Sequence, residues 1–487
     1  MAILAIDAGT TGVTALVIDR DGRTIARAYS EFEQHFPQPG WVEHDPEQIW
    51  QAVLSVVRTA IGESPEPPTC IGITNQRETV VLWDRLTLKS PVNAIVWQDR
   101  RTAELLGNEK FTDAAERVQL LTGLPLDPYF SASKLLWIKR NHPEIWRGVE
   151  AGSMAVGTVE SYLVARLTGA REHITDASNA SRTQLFNLET GDWDDWLLEL
   201  FEVPRVALPR VVANYGKLAK TYGPAFLGLE LDITGIAGDQ QAALFGQGCI
   251  SPGDAKCTYG TGAFMLMNTG DRIAASTNRL LSTVAWQHPD GRLEYALEGS
   301  VFVAGAAVQW LRDGLGIIAS ASEVEELAAS VADSGGVTFV PALTGLGAPF
   351  WLPDVRGSLQ GITRGTTKAH IARATLEGIA FQIYWVFKSM NADAGVAAAR
   401  IRVDGGAAAN NLLMQIQADQ LQCKIERPAN LESTALGAAL FAGLGAGIWG
   451  SIDELAGLNP VRSTFTPGVF DQGAADAWRE ALTRLDD

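Results

Sequence analysis

Residues 3–19 read Ile3-Leu4-Ala5-Ile6-Asp7-Ala8-Gly9-Thr10-Thr11-Gly12-Val13-Thr14-Ala15-Leu16-Val17-Ile18-Asp19. Ile3 to Ile6 is a short apolar run without charge, the pattern of a buried strand. Thr14 to Asp19 reads as the strand that returns beside it. Strand, Gly-Thr-Thr-Gly turn, strand is the signal of a β-hairpin. The turn holds no large side chain. Gly9 and Gly12 let the backbone come close to a bound group. Thr10 and Thr11 add hydroxyls, and Asp7 sets one carboxylate at the strand end. Amides and hydroxyls beside one acid suit a phosphate with its divalent metal. The same residue types also make an ordinary turn.

The pattern then restarts. Ala255 to Thr258 is strand-like, Tyr259-Gly260-Thr261-Gly262 is a turn, and Ala263 to Met267 is an apolar return strand. A third glycine turn, Asp404-Gly405-Gly406-Ala407, follows the strand Ile401 to Val403, and Asn410 is placed to cap the next helix. At 487 residues the chain exceeds one typical core. Strands alternate with helices, so the expected fold is α/β: two lobes, each a mixed sheet with flanking helices, and an interlobe cleft. The expected domains are 1–248 and 249–487. The three turns together are placed to grip a nucleotide.

Net charge is −17, which argues against non-specific nucleic-acid binding. Cys70, Cys249, Cys257 and Cys423 form no C-x-x-C pair, so neither a zinc site nor a disulfide framework is expected. Scattered thiols fit a reducing, cytoplasmic setting. No basic segment followed by an apolar run opens the chain, so no signal peptide is expected. The uncharged run Ala435 to Ile452 falls short of the roughly 20 strongly apolar residues that span a bilayer. It reads as a buried, closely packed helix, and no membrane insertion is expected.

Asp45-Pro46-Glu47 opens a helix whose Ile49, Val53, Val56 and Val57 share a face. Between two apolar strands lie Asn75-Gln76-Arg77-Glu78. Arg77 and Glu78 are either a surface pair or a donor and an acceptor for substrate hydroxyls. Residues 205–230 read as loop. Asp239 follows the strand Ile233 to Gly238 and starts a helix, where it is either an N-cap or a general base at the cleft. Trp97 to Arg101 reads chiefly as structural pairing.

These stretches together resemble the carbohydrate kinase family that includes the glycerol, xylulose and gluconate kinases, and its glycerol-phosphorylating members most. The resemblance runs through Asp7–Gly12 (DAGTTG), Phe32–Pro46, Gly72–Glu78 (GITNQRE), Asn93–Thr102, Asp127–Ser131 (DPYFS), Gly235–Gly248 (GIAGDQQAALFGQG), Thr258–Gly270, Pro341–Trp351 and Val403–Asn411. It implies an actin-like ATPase (ribonuclease H-like) fold and ATP-dependent phosphorylation of glycerol to sn-glycerol 3-phosphate. It further implies that Arg77, Glu78, Tyr129, Asp239 and Gln240 hold glycerol, with Asp239 as the base. Trp97 and Phe264 pack on its carbon backbone. Thr10, Thr11, Gly12, Thr261, Gly305 and Gln309 meet the ATP phosphates. Gly406 and Asn410 line the adenosine end, and Asp7 holds Mg²⁺ through water. A homo-oligomer, dimer or tetramer, is also implied.

The chain departs from the family in places. Thr14 stands where such kinases usually carry Arg, so one positive charge near the phosphates is missing. Ala8 replaces a common Gln. The loop Gly223 to Asp232 lacks the pattern tied to fructose 1,6-bisphosphate inhibition and the histidine phosphorylated in some members. Neither kind of regulation is expected. Two other functions compete. One is a kinase for another polyol or ketose, and the other is an ATP-driven binding switch on the same fold.

Overall fold

In a computed structural model, which describes residues 1–486, the opening stretch is an antiparallel hairpin of β1 (Ala2–Ala8) and β2 (Gly12–Ile18). β3 (Thr24–Glu31) pairs with β2. After helix α1 (Pro46–Glu63), β4 (Pro68–Asn75) lies parallel to β1 on its other side. β5 (Tyr215–Lys220) and β6 (Asp232–Gly238) complete a six-stranded sheet in the order β5-β6-β4-β1-β2-β3. Asp45 caps α1, accepting from the Glu47 N–H at 2.8 Å. Ile49, Val53, Val56 and Val57 bury one helix face against the sheet, each contributing about 1.5–3 kcal/mol. Helix α2 (Asp239–Gly246) continues directly from β6.

The second lobe repeats the plan. β7 (Ala255–Tyr259) and β8 (Ala263–Gly270) form a hairpin, followed by β9 (Leu281–Gln287), β10 (Leu293–Val301), and helices α3 (Gly305–Asp313) and α4 (Lys368–Ala394). β11 (Arg400–Asp404) runs parallel to β7, as β4 does to β1. Helix α5 (Asn411–Leu421), β12 (Lys424–Pro428), helix α6 (Ser433–Gly445), β13 (Val461–Phe465) and helix α7 (Gln472–Asp486) follow. The seven-stranded order is β9-β10-β8-β7-β11-β12-β13.

The lobes are joined behind the cleft by an apolar cluster. Ile3, Ala5 and Leu16 of the first sheet meet Leu266 and Ala296 of the second through α2 and α6, where Phe245 and Phe441 stack at 4.0 Å. Helix α6 comes from the second half of the chain yet packs on β1, β4 and β6. Small residues permit that approach. A Cβ at Gly72 would collide with the Ala438 carbonyl, and one at Gly437 with the Ala242 carbonyl. This packing accounts for the uncharged, Gly/Ala-rich run from Ala435. Among the described residues no helix is long and apolar enough to cross a membrane.

Two local expectations change. Residues 205–230 are not all loop: Arg210–Val212 pairs with Ile174–Asp176, and β5 adds an edge to the first sheet. An edge strand buries neither face fully, so the alternation that marks a strand is absent from Tyr215–Lys220. Asp239 is not the N-cap of α2. Gly238 takes that position and Asp239 is the first helical residue.

Candidate active site

β4 and β6 are parallel neighbours, and the crevice beyond the carboxyl ends of parallel strands is where an α/β sheet binds ligands. β4 leads into Gln76-Arg77-Glu78, and β6 leads into Asp239-Gln240. Gln76 fastens this end to the first turn: its N–H donates to the Ala8 carbonyl at 2.9 Å and its Nε2 to the Gly9 carbonyl at 3.0 Å. Glu78 has φ of 60°, a left-handed conformation that a non-glycine residue holds only where its surroundings impose it.

Arg77 and Glu78 are a buried pair, not a surface one. Arg77 Nε lies 3.0 Å from Asp239 Oδ1, and its Nη1 and Nη2 donate to Glu298 at 2.6 and 3.1 Å. Arg182 donates to Glu78 at 2.7 Å and to Glu298 at 3.0 Å. Lys256, fully buried on β7, donates to Gln240 Oε1 and, at 2.9 Å, to the Thr258 hydroxyl. Arg77 and Arg182 thus pair with Glu78, Glu298 and Asp239, while Lys256 is held by two neutral oxygens. Buried ions are costly unless paired, and the two arginines are. Burial alone would raise Glu298, but the Arg182 and Arg77 guanidiniums outweigh it and hold the carboxyl down to about 2. At Asp239 burial prevails over the pull of Arg77 and Lys256, and its carboxyl is raised. Asp239 Oδ1 also accepts the Gln240 N–H at 2.7 Å, leaving Oδ2 without a protein partner among the described residues.

An aromatic wall adjoins these charges. Trp97 meets Tyr129 edge-on at 5.6 Å and Phe264 of the other lobe at 6.3 Å. Its indole N–H donates to the Thr10 hydroxyl at 3.0 Å. The buried Lys134 ammonium donates to the carbonyls of Pro128, Tyr129 and Phe130 at 2.7, 2.7 and 3.1 Å, fixing the loop that carries Tyr129. Asp99 and Arg101 are structural: Asp99 accepts the Val42 N–H, and Arg101 binds Asp99 and Glu43.

The residues of the glycine turns divide between the lobes. Gly9 N–H donates to the Gly12 carbonyl at 3.0 Å, closing the first turn around Thr10 and Thr11. Gly12 has no room for a side chain, because the Ser30 carbonyl and the Tyr29 ring lie over it. In the second turn the N–H groups of Ala304 and Ala306 donate to the Thr261 carbonyl, and that of Gly305 to Gly260. The start of α3, one helical turn before the exposed Gln309, is therefore bound to that turn. β7 and β11 pair Thr258 with Asp404, setting the third turn beside the second. Gly405 has φ of 84°, and Gly406 presents a face with nothing within 4 Å. The Asn410 side chain caps α5, accepting the Leu413 N–H at 2.8 Å.

Asp7 ends β1 in a row across the sheet, between Thr74 of β4 and Thr14 of β2, with Tyr29 of β3 beyond. Burial, then the charges of Asp239 and Glu432, raise its carboxyl to about 8. Neither the Thr74 hydroxyl nor Asp404 Oδ1 has a hydrogen-bond partner among the described residues, though both are buried. Among the described residues no cluster of three or more acidic, His or Cys side chains is arranged to hold an ion alone. A carboxyl without a facing cation, beside the orphaned Thr74 hydroxyl on the neighbouring strand, fits a cation held mainly by phosphate and water, the habit of Mg²⁺.

Sequence reasoning missed Glu298, Arg182, Lys256 and Lys134. A lone Glu in the apolar run Ala296 to Val301, and a lone Lys between Ala255 and Cys257, were signals that could have found two of them.

Two family models cover the chain. That of the N-terminal domain of the FGGY family of carbohydrate kinases matches residues 2–246, and that of its C-terminal domain matches 255–446. The chain belongs to the FGGY family of carbohydrate kinases. Among its relatives is the glycerol kinase of Burkholderia pseudomallei (strain K96243), 52% identical over 96% of this chain and 94% of that one. The glycerol kinase of Bdellovibrio bacteriovorus (strain ATCC 15356 / DSM 50701 / NCIMB 9529 / HD100) is 49% identical over 99% of both. Among solved structures, Plasmodium falciparum glycerol kinase with ADP superposes with a TM-score of 0.93 at 36% identity, over 99% of this chain and 98% of that one.

Proposed function

We propose that the chain transfers the γ-phosphoryl group of ATP to glycerol, forming sn-glycerol 3-phosphate and ADP. The observation that carries this reading is the Arg77–Asp239 pair, set between an aromatic wall and the two lobes' glycine turns. A short polyol matches the pocket's chemistry. Its carbon backbone lies against Trp97 and Phe264, and its hydroxyls meet Arg77, Glu78, Tyr129 and Gln240. Asp239 Oδ2 takes the proton of the attacking hydroxyl, and a base so placed contributes about 10²–10⁴-fold. The amides and hydroxyls of Thr10, Thr11, Gly12 and Thr261, with Gly305 and Gln309 behind the second turn, bind the ATP phosphates. Gly406 and Asn410 border the adenosine. Phosphoryl transfer depends mainly on such positioning and charge stabilisation. Asp7 would hold Mg²⁺, which would supply charge neutralisation at the phosphates.

A panel of acceptors tests the assignment. With ATP and Mg²⁺, glycerol is expected to be phosphorylated with a kcat/KM far above that of xylulose, gluconate or erythritol. Equal or greater use of a ketose or sugar acid would contradict it.

A further inference from the structure

We propose that Glu298, on β10 of the C-terminal lobe, is a positioning residue that holds the base Asp239 in its working orientation through Arg77. The inference rests on the reading of Asp239 as base.

The donor count of Arg77 carries the argument. Its guanidinium offers five N–H groups in one plane. Nη1 and Nη2 engage the two oxygens of Glu298 at 2.6 and 3.1 Å, and Nη1 also donates to Gln241 at 3.2 Å. Nε lies 3.0 Å from Asp239 Oδ1 as an ion pair, without the alignment of a hydrogen bond. Two parallel bonds to one carboxylate fix the guanidinium plane, which a single bond cannot do. The plane of the guanidinium, and with it the place of its charge beside the Asp239 carboxyl, is therefore set by Glu298. Arg182 also binds Glu298 Oε1, at 3.0 Å, so Glu298 holds both buried arginines. Its side chain is fully buried, and it acts on substrate only through others.

Glu298 comes from the opposite lobe, yet its place is secured. The edge of the second sheet is docked on the first half of the chain around it. Ser282 N–H donates to the Gly123 carbonyl at 3.0 Å, and the Ser181 and Thr283 hydroxyls meet at 2.9 Å. Gln241 Nε2 donates to the Val284 carbonyl at 3.1 Å, and Gln287 N–H to Asn214 Oδ1 at 2.7 Å. The pair Arg77–Asp239 is thus set before either substrate arrives.

The test is a double-mutant cycle of Glu298→Gln and Asp239→Asn in the full chain, with folding checked by circular dichroism and thermal melting. Glu298→Gln is expected to lower kcat by about 10²-fold, the scale of an ångström-sized misplacement, while the ATP KM stays within about twofold. In the Asp239→Asn background the same change is expected to cost little further, because residues that act as a unit are non-additive. A purely structural ion pair predicts the opposite: losses that multiply, or a kcat unchanged in the folded fraction. Either result overturns the proposal. If Glu298→Gln does not fold, Glu298→Asp replaces it, since its shorter carboxylate keeps the charge but cannot span both Arg77 nitrogens and Arg182. Glycerol-dependent ADP release by the unaltered enzyme is measured first. Its absence overturns the proposed function, whereas multiplying losses overturn only the role of Glu298.

Discussion

The indole N–H of Trp97 donates to the Thr10 hydroxyl at 3.0 Å, so the aromatic wall beside Arg77 and Asp239 is fastened to the first glycine turn. Trp97→Phe keeps the wall and removes the tie. A hydrogen bond of this kind contributes about 0.5–1.5 kcal/mol, so both the glycerol KM and the ATP KM are expected to rise roughly two- to tenfold. Initial-rate kinetics with each substrate varied in turn check this. A change in the glycerol KM alone would mean that the tie does not reach the nucleotide.

Asp239 supplies the second prediction. Asp239→Asn is expected to lower kcat by about 10²–10⁴-fold while glycerol still binds, as calorimetry can read. The pH dependence follows from its setting. Burial raises the Asp239 carboxyl against Arg77 and Lys256, and the proposed base works as the carboxylate. Activity is therefore gained as pH rises, through an acid limb above the usual Asp value of about 4. A limb at or below that value would contradict the account.

The third prediction concerns the metal. Chelation with EDTA is expected to abolish ADP release, and added Mg²⁺ to restore it. Asp7→Asn should raise the Mg²⁺ concentration for half-maximal rate by about tenfold or more. An unchanged requirement would remove Asp7 from the metal site.

Thr14 is buried in the row between Asp7 and Tyr29, and the turn it follows lacks a cation. Arg27, further along β3, is engaged by Glu432 at 2.9 Å. Thr14→Arg would overpack against Tyr29, at a cost of about 1–3 kcal/mol, so it is best combined with Tyr29→Ala. Relative to Tyr29→Ala alone, the pair is expected to lower the ATP KM or raise kcat. If neither moves, the missing charge is immaterial.

The two hairpins and their glycine turns were legible in the sequence because they are local: an apolar run, a turn without side chains and a second apolar run lie within about fifteen residues. Asp7, Arg77 and Asp239 were legible because each follows an apolar strand. Glu298 was not, since its partner Arg77 lies 221 residues away and only the docking of two sheets brings them together. Asp239 could not be separated from an N-cap by position alone. The register placing Gly238 at the cap, and Arg77 beside the carboxylate, is a tertiary fact. Helix α6 illustrates the same limit. Its small residues announce close packing, but not that it crosses to the first sheet.

The most direct measurement is ADP release from ATP and Mg²⁺ with and without glycerol, with the product identified. The account predicts that release is negligible without glycerol and that each ADP formed is matched by one sn-glycerol 3-phosphate. ADP release indifferent to glycerol would contradict it.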